Sequence, residues 1–254
     1  MMTDVFPRSV SVAIPVRDDA RLLDVCLRAL DRQTRRPDEI VVVDNGSSDD
    51  TVAVAERYGA RVVTEPVQGI PRAAAAGYDA ATGDVIARLD ADSRPGPDWI
   101  ARIERAFRER DDLDFLTGEP RFYGATPLVH WMGERLYIGG MYATVTPILG
   151  HAPLYGSNMA MRASAWRILS GEVHREERNI HDDFDLSFHV RPGMTVLRDR
   201  SLVVEVSARP LKDWASLRRR LSYVLPTVRL HLPREVRLRR RQMRHQEDTS
   251  SMGR

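Results

Sequence analysis

From Ser9 to Arg110 the chain alternates short apolar, β-branched runs with segments whose apolar residues recur at helical spacing. Few folds accommodate such an alternation. Ser9-Val10-Ser11-Val12-Ala13-Ile14-Pro15 reads as a strand stopped by its proline. Leu23, Cys26, Leu27 and Leu30 mark one face of a helix over Ala20 to Gln33. Glu39–Asp44 is a second buried strand. Ser47 or Ser48 then caps a helix over Asp49 to Tyr58, which has an acidic first turn and stops at Gly59. Arg61–Thr64 is a third strand, and Arg72–Ala81 is an alanine-rich helix closed by Gly83. Asp84–Leu89 is a fourth strand, followed by a helix over Pro97 to Arg110 with proline in its first turn. Strands separated by helices must run parallel, so the expected class is α/β, a mostly parallel, doubly wound sheet flanked by helices.

The second half is less regular. Leu113–Phe122 reads as a strand, Ala163–Leu169 and Asp182–Val190 as short helices, and Thr195–Leu197 and Ser201–Val206 as separate strands. Residues 136–161 carry no Asp, Glu, Lys or Arg, but Gly139, Gly140, Gly150, Gly156, Pro147 and Pro153 interrupt them. A membrane-spanning helix needs about 20 predominantly apolar residues, so none is expected there. Met1 to Arg8 has no apolar core of signal-peptide length. The single cysteine, Cys26, excludes an intrachain disulfide and fits a buried thiol in a cytosolic setting. At 254 residues the chain suits one α/β domain with an elaboration.

A net charge of +2 conceals a split. Residues 209–245 hold eleven arginines and Lys212 against Asp213 and Glu235, a net +10 that leaves −8 for the rest. From Asp213 to Leu225, the residues Trp214, Leu217, Leu221, Val224 and Leu225 share one helical stripe, which Pro226 ends or kinks. A basic amphipathic helix beside an acidic body suits an anionic membrane surface. The bland alternative packs the stripe on the body and leaves the last arginines disordered. Nucleic acid is not the expected partner, because aromatic residues are not interleaved with the arginines.

Asp90-Ala91-Asp92 follows the apolar run Val85–Leu89 and precedes the turn formers Ser93-Arg94-Pro95-Gly96-Pro97. Two carboxylates at the carboxyl end of a strand lie where open α/β sheets bind ligands. Such a pair can hold a hard cation whose shell is completed by water and phosphate oxygens. Pro15-Val16-Arg17-Asp18-Asp19 and Asp44-Asn45-Gly46-Ser47-Ser48-Asp49 fall at the same edge. Downstream, Tyr155-Gly156-Ser157-Asn158 precedes a second acidic cluster, His181-Asp182-Asp183-Phe184-Asp185-Leu186. His181 and His189 flank that cluster and read as ordinary histidines, although either could complete a metal shell.

Taken together, Ile14–Asp19, Glu39–Thr51, Gly83–Asp92 and Asp182-Asp183-Phe184-Asp185-Leu186 resemble the family 2 glycosyltransferases of the GT-A fold. The likeness covers residues 9 to 206. It implies a nucleotide-diphospho-sugar donor, a divalent cation (Mg²⁺ or Mn²⁺), inversion at the anomeric carbon and a lipid-linked or saccharide acceptor. By resemblance, Pro15, Val16 and Asp18 line the nucleoside, Asp44 meets the base, Asp90 lies near the ribose and metal, and Asp92 is the metal ligand. Asp183 matches the general base. The implied division is a nucleotide-sugar-binding half (1–122), an acceptor-side half (123–208) and a basic tail (209–254). Two departures stand out. Asp182 replaces the usual Glu, and Ala73-Ala74-Ala75-Ala76-Gly77 stands where many members carry Ala-Arg-Asn, with Arg72 the nearest arginine. A non-catalytic scaffold on the same fold, recruited to membranes by its tail, is the competing reading. A nucleotidyltransferase lacks its glycine-rich, lysine-bearing loop here, and a dehydrogenase lacks its G-x-G-x-x-G.

Overall fold

In the computed structural model, residues 9–124, 126, 133, 138–209, 218 and 222–231 are described. Their strands form one eight-stranded sheet in the order β3-β2-β1-β4-β7-β6-β8-β5. The strands are β1 (Val10–Val16), β2 (Glu39–Asp44), β3 (Arg61–Thr64), β4 (Val85–Arg88), β5 (Arg94–Pro95), β6 (Leu113–Tyr123), β7 (Met159–Arg162) and β8 (Thr195–Ser207). The helices are α1 (Ala20–Asp31), α2 (Thr51–Arg57), α3 (Ile70–Ala80), α4 (Trp99–Glu109), α5 (Gly139–Leu149), α6 (Ala163–Leu169) and α7 (Asp182–His189). β1 to β4 pair in parallel, as the alternation requires. β7 joins β4 to β6 antiparallel, and β6 then pairs β8 in parallel. No helix among the described residues is long and apolar enough to cross a membrane.

Apolar side chains cover both faces of the sheet. Leu23, Leu27 and Leu30 of α1 pack with Trp99, Ile100, Ile103 and Phe107 of α4 on one face. Ala74, Ala75 and Tyr78 of α3 pack with Trp166, Leu169 and Leu186 on the other. The alanine run now has a physical role. A Cβ placed on Gly77 would lie 3.1 Å from Ala13 Cβ and Val43 Cγ2, so α3 approaches the sheet more closely than larger residues permit.

Several boundaries differ from the sequence reading, each for a local reason. β1 continues through Pro15 to Val16, because β4 pairs only as far as Ala13 and Pro15 needs no donor on that side. α2 begins at Thr51 and has no acid in its first turn. The Asp49 carboxylate accepts the Thr51 N–H at 3.1 Å, and neither Ser47 nor Ser48 caps the helix. Pro97 lies before α4, whose N-cap is Asp98. The segments 195–197 and 201–206 are one strand, β8, which meets β6 through a register shift. β5 and β7 escape the sequence reading altogether. Helical residues 222–231 run through Pro226, so that proline does not end the helix. Their buried face is Thr227 and His231, with Tyr223 half-buried, whereas Leu225 is exposed. Val224 of the expected stripe is half-buried, and Trp214, Leu217 and Leu221 lie outside the described residues, as does the run from Arg234 to Arg244.

Candidate active site

β1, β2 and β4 end side by side, and their three outgoing loops form one edge. Pro15 and the buried Val16 close β1 against Val43 and Asp44. Asp18 follows with φ +49°, a left-handed conformation that Asp tolerates better than most residues. Its N–H donates to Ser47 Oγ at 3.0 Å, and its Oδ1 accepts from the Ser48 N–H at 2.7 Å and the Ser48 hydroxyl at 3.0 Å. These bonds, the backbone one first, hold the Asp18 carboxyl below its usual range. The β1 and β2 loops are thus clasped together.

Asp44 is buried and accepts the Ser47 N–H at 3.0 Å. Beside it stands Asn45, whose importance the sequence reading missed. Its amide donates to the carbonyls of Glu65 (2.8 Å) and Val67 (2.9 Å), and its carbonyl accepts the Gly69 N–H at 2.8 Å. Asn45 therefore ties the β2 loop to the start of α3. Arg72, the nearest substitute for the missing family arginine, ion-pairs with Glu176.

The end of β4 holds the densest charge. Arg88 is buried and bridges two acids: Asp182 on α7 and, at 3.1 Å, Asp90. Asp90 also accepts the Ser157 hydroxyl. Burial pushes the Asp182 carboxyl up to about 6, while the Arg88 guanidinium pulls it down. Asp183 sits in the first turn of α7. Its Oδ2 accepts the Gly156 N–H at 2.9 Å and its Oδ1 the Phe184 N–H at 2.8 Å. A Cβ at 156 would lie 2.6 Å from Arg88 Nη1, so glycine there leaves room for the buried guanidinium. The turn at 156–158 is anchored by Asn158, which accepts the Trp99 indole N–H at 2.9 Å and donates to the Leu202 carbonyl at 2.7 Å.

Asp92 completes the edge. Its carbonyl accepts the Tyr123 hydroxyl at 3.0 Å, and its Oδ2 lies 3.4 Å from Arg209 Nη2. Arg209 is held more closely by Asp19, with Nη2 2.6 Å from Oδ2. The sequence reading missed Arg209 and Arg88. Arg88 had left a sign, a charge inside an otherwise apolar four-residue strand just before Asp90. Removing it strands a buried carboxylate, which typically costs about 3–5 kcal/mol. Arg88→Met is therefore expected to lower unfolding stability by about that much in urea titration, and adding Asp182→Asn to recover part of it.

A sheet whose parallel strands deliver carboxylates to one edge defines an α/β protein of the class whose ligands bind outside the strand ends. The chain belongs to glycosyl transferase family 2, whose model matches residues 11–169. An uncharacterised glycosyltransferase of Mycobacterium tuberculosis is 34% identical over 127 residues, covering 48% of this chain and 52% of that one. A PGL/p-HBAD biosynthesis glycosyltransferase of Mycobacterium bovis is 30% identical over 158 residues, covering 54% and 62%. The chain thus spans about half to three-fifths of the length of these relatives. Glucosyl-3-phosphoglycerate synthase from Mycobacterium tuberculosis, in complex with Mn²⁺, UDP-glucose and glycerol 3-phosphate, shares the fold. Its TM-score is 0.63 at 20% identity, covering 87% of this chain and 80% of that one.

Proposed function

We propose that this protein is an inverting glycosyltransferase that moves a sugar from a nucleotide-diphospho-sugar to an acceptor hydroxyl or phosphate. One observation carries the reading: buried Arg88 binds both Asp90 and Asp182, so two distant acidic motifs form one constellation. In this reading residues 1–122 bind the donor, with Pro15, Val16 and Asp18 along the nucleoside, Asp44 at the base and Asp90 near the ribose. Residues 123–208 form the acceptor side.

Asp92 would hold the divalent cation, Mg²⁺ or Mn²⁺. Its carboxylate already faces a cationic group, Arg209, and an oxygen donor at a strand end suits a hard ion. When bound, the ion would offset charge developing on the leaving diphosphate. The Mn²⁺ and UDP-glucose named for the synthase of similar fold support a divalent cation and a nucleotide-sugar donor in this reading. Asp183 takes the acceptor's proton. The Gly156 N–H occupies its Oδ2 and fixes the carboxylate's orientation, so the remaining lone pairs keep one direction. General-base catalysis of this kind contributes about 10²–10⁴-fold.

The acceptor is a lipid-linked or other saccharide, or a small molecule. The basic segment 209–245 would hold the enzyme against the anionic, cytoplasmic face of the membrane. Exposed Leu225, on the side of its helix away from Thr227 and His231, is available to such a surface. A melting-temperature screen of UDP-, GDP- and dTDP-linked sugars with Mn²⁺ tests the reading. One donor class should stabilise the protein. No stabilisation by any of them would overturn the enzyme reading in favour of a scaffold.

A further inference from the structure

Two residues beyond Asp183, about 200° around the helix, α7 presents Asp185 to a separate, buried cluster. His174, Asp185, His189 and His231 each offer one ligand atom, and these atoms lie within 4.8 Å of one another. Asp185, His189 and His231 are at most 2% exposed. His174 comes from the segment before α7, Asp185 and His189 lie one turn apart on α7, and His231 comes from helical residues 222–231. His189, which read as an ordinary histidine in the sequence, is buried here beside Asp185 and His231.

The donor set is three imidazole nitrogens and one carboxylate oxygen, a set that suits a four-coordinate zinc-class ion. Imidazoles dominate, whereas the edge at Asp92 offers hard oxygen, so the two places would select different metals. Outer contacts already orient the ligands. Asp185 Oδ2 accepts the His174 backbone N–H at 2.8 Å, leaving Oδ1 toward the rings. His189 Nδ1 lies 2.8 Å from the Asp185 backbone carbonyl. A carbonyl can only accept, so Nδ1 donates in that contact, and Nε2 is the nitrogen a neutral ring would offer to an ion. Such partners set tautomer and ring direction at metal sites.

His174 Nδ1 and His231 Nε2 now lie 2.7 and 2.8 Å from Asp185 Oδ1. Ligands 2.0–2.1 Å from a tetrahedral ion are about 3.3 Å apart. A bound ion would replace these two hydrogen bonds with modest ring movements. The longest separation, 4.8 Å, would contract by about 1.5 Å to reach the same geometry. The arrangement is closed and distant in role from donor chemistry, which marks a structural site.

We propose that His174, Asp185, His189 and His231 bind one Zn²⁺, which rivets the C-terminal helical segment to α7 and so positions Asp183. Among the described residues, two further contacts join the segments it would clamp. The His181 N–H donates to Thr227 Oγ1 at 3.1 Å, and the Phe188 ring stacks on His231 at 4.6 Å. This inference does not depend on the proposed transferase activity.

The test uses the untagged full chain, purified without added metal and then stripped with a chelator. Elemental analysis should find one zinc per chain before stripping. Co²⁺ added to the stripped protein should give the intense visible absorption of a tetrahedral site, and Zn²⁺ should bleach it and raise the melting temperature. His174→Ala, at the most accessible ligand, and His231→Gln should each lose the Co²⁺ spectrum, whereas Asp92→Ala should keep it. If His231→Gln misfolds, His174→Ala decides the outcome. A wild-type chain that gives no tetrahedral Co²⁺ spectrum, or a His174→Ala chain with an unchanged one, would overturn the proposal and leave a hydrogen-bonded cluster only.

Discussion

Asp183→Asn is expected to bind the donor as tightly as the wild type and to transfer about 10²–10⁴-fold more slowly. The substitution is nearly isosteric, so the first turn of α7 keeps its packing. Asparagine has one carbonyl oxygen where aspartate has two, so it can serve the Gly156 N–H or the Phe184 N–H but not both. The lost hydrogen bond is worth about 1 kcal/mol, too little to unfold a domain with this core. What disappears is the ability to accept a proton, and this bears on turnover rather than on donor affinity. Donor titration and single-turnover rates with a defined acceptor separate the two quantities. Near-full transfer by the variant would falsify the assignment of Asp183 as base and move attention to Asp182. That residue is the weaker candidate, because Arg88 occupies its carboxylate and burial restricts its access.

The parallel half of the fold is legible in the sequence because each strand there is a continuous apolar run closed by turn residues. β2 and β3 have the residues expected of them, Glu39–Asp44 and Arg61–Thr64. β7 was not legible for the opposite reason. Met159-Ala160-Met161-Arg162 is four residues long, buried between β4 and β6, and set among glycines and prolines, so it has no alternation to detect. The candidate site divides in the same way. Acids at strand ends can be read from local context, whereas the groups that organise them act across the chain. Arg88 meets Asp182 across 94 positions and Asn158 meets Leu202 across 44. Arg209 reaches back 190 positions to Asp19. Helical residues 222–231 show the limit of hydrophobic pattern. Their inward face is polar, because Thr227 and His231 satisfy groups on α7 and its N-cap, and an apolar stripe could not.

Asp92→Ala is expected to abolish the Mn²⁺-dependent part of donor binding while leaving the fold intact. The local backbone has supports that the substitution leaves in place. Tyr123 holds the Asp92 carbonyl, which alanine retains, and Ala91 before it is buried in the core. Arg209 also keeps its closer partner, Asp19. The variant nevertheless changes the local field in a definite direction. It removes one negative charge and leaves Arg209 in place, so a divalent cation meets less attraction and the same repulsion. Loss of a metal contact that offsets diphosphate charge is worth several kcal/mol, so affinity for the donor with Mn²⁺ should fall by at least about a hundredfold. Without metal, wild type and variant should bind the nucleoside portion nearly alike, since Asp18, Asp44 and Asn45 are built on other strands. Calorimetric titration with and without Mn²⁺ measures both arms. Equal affinity of the two proteins in the presence of Mn²⁺ would place the cation, if one is used, on other ligands.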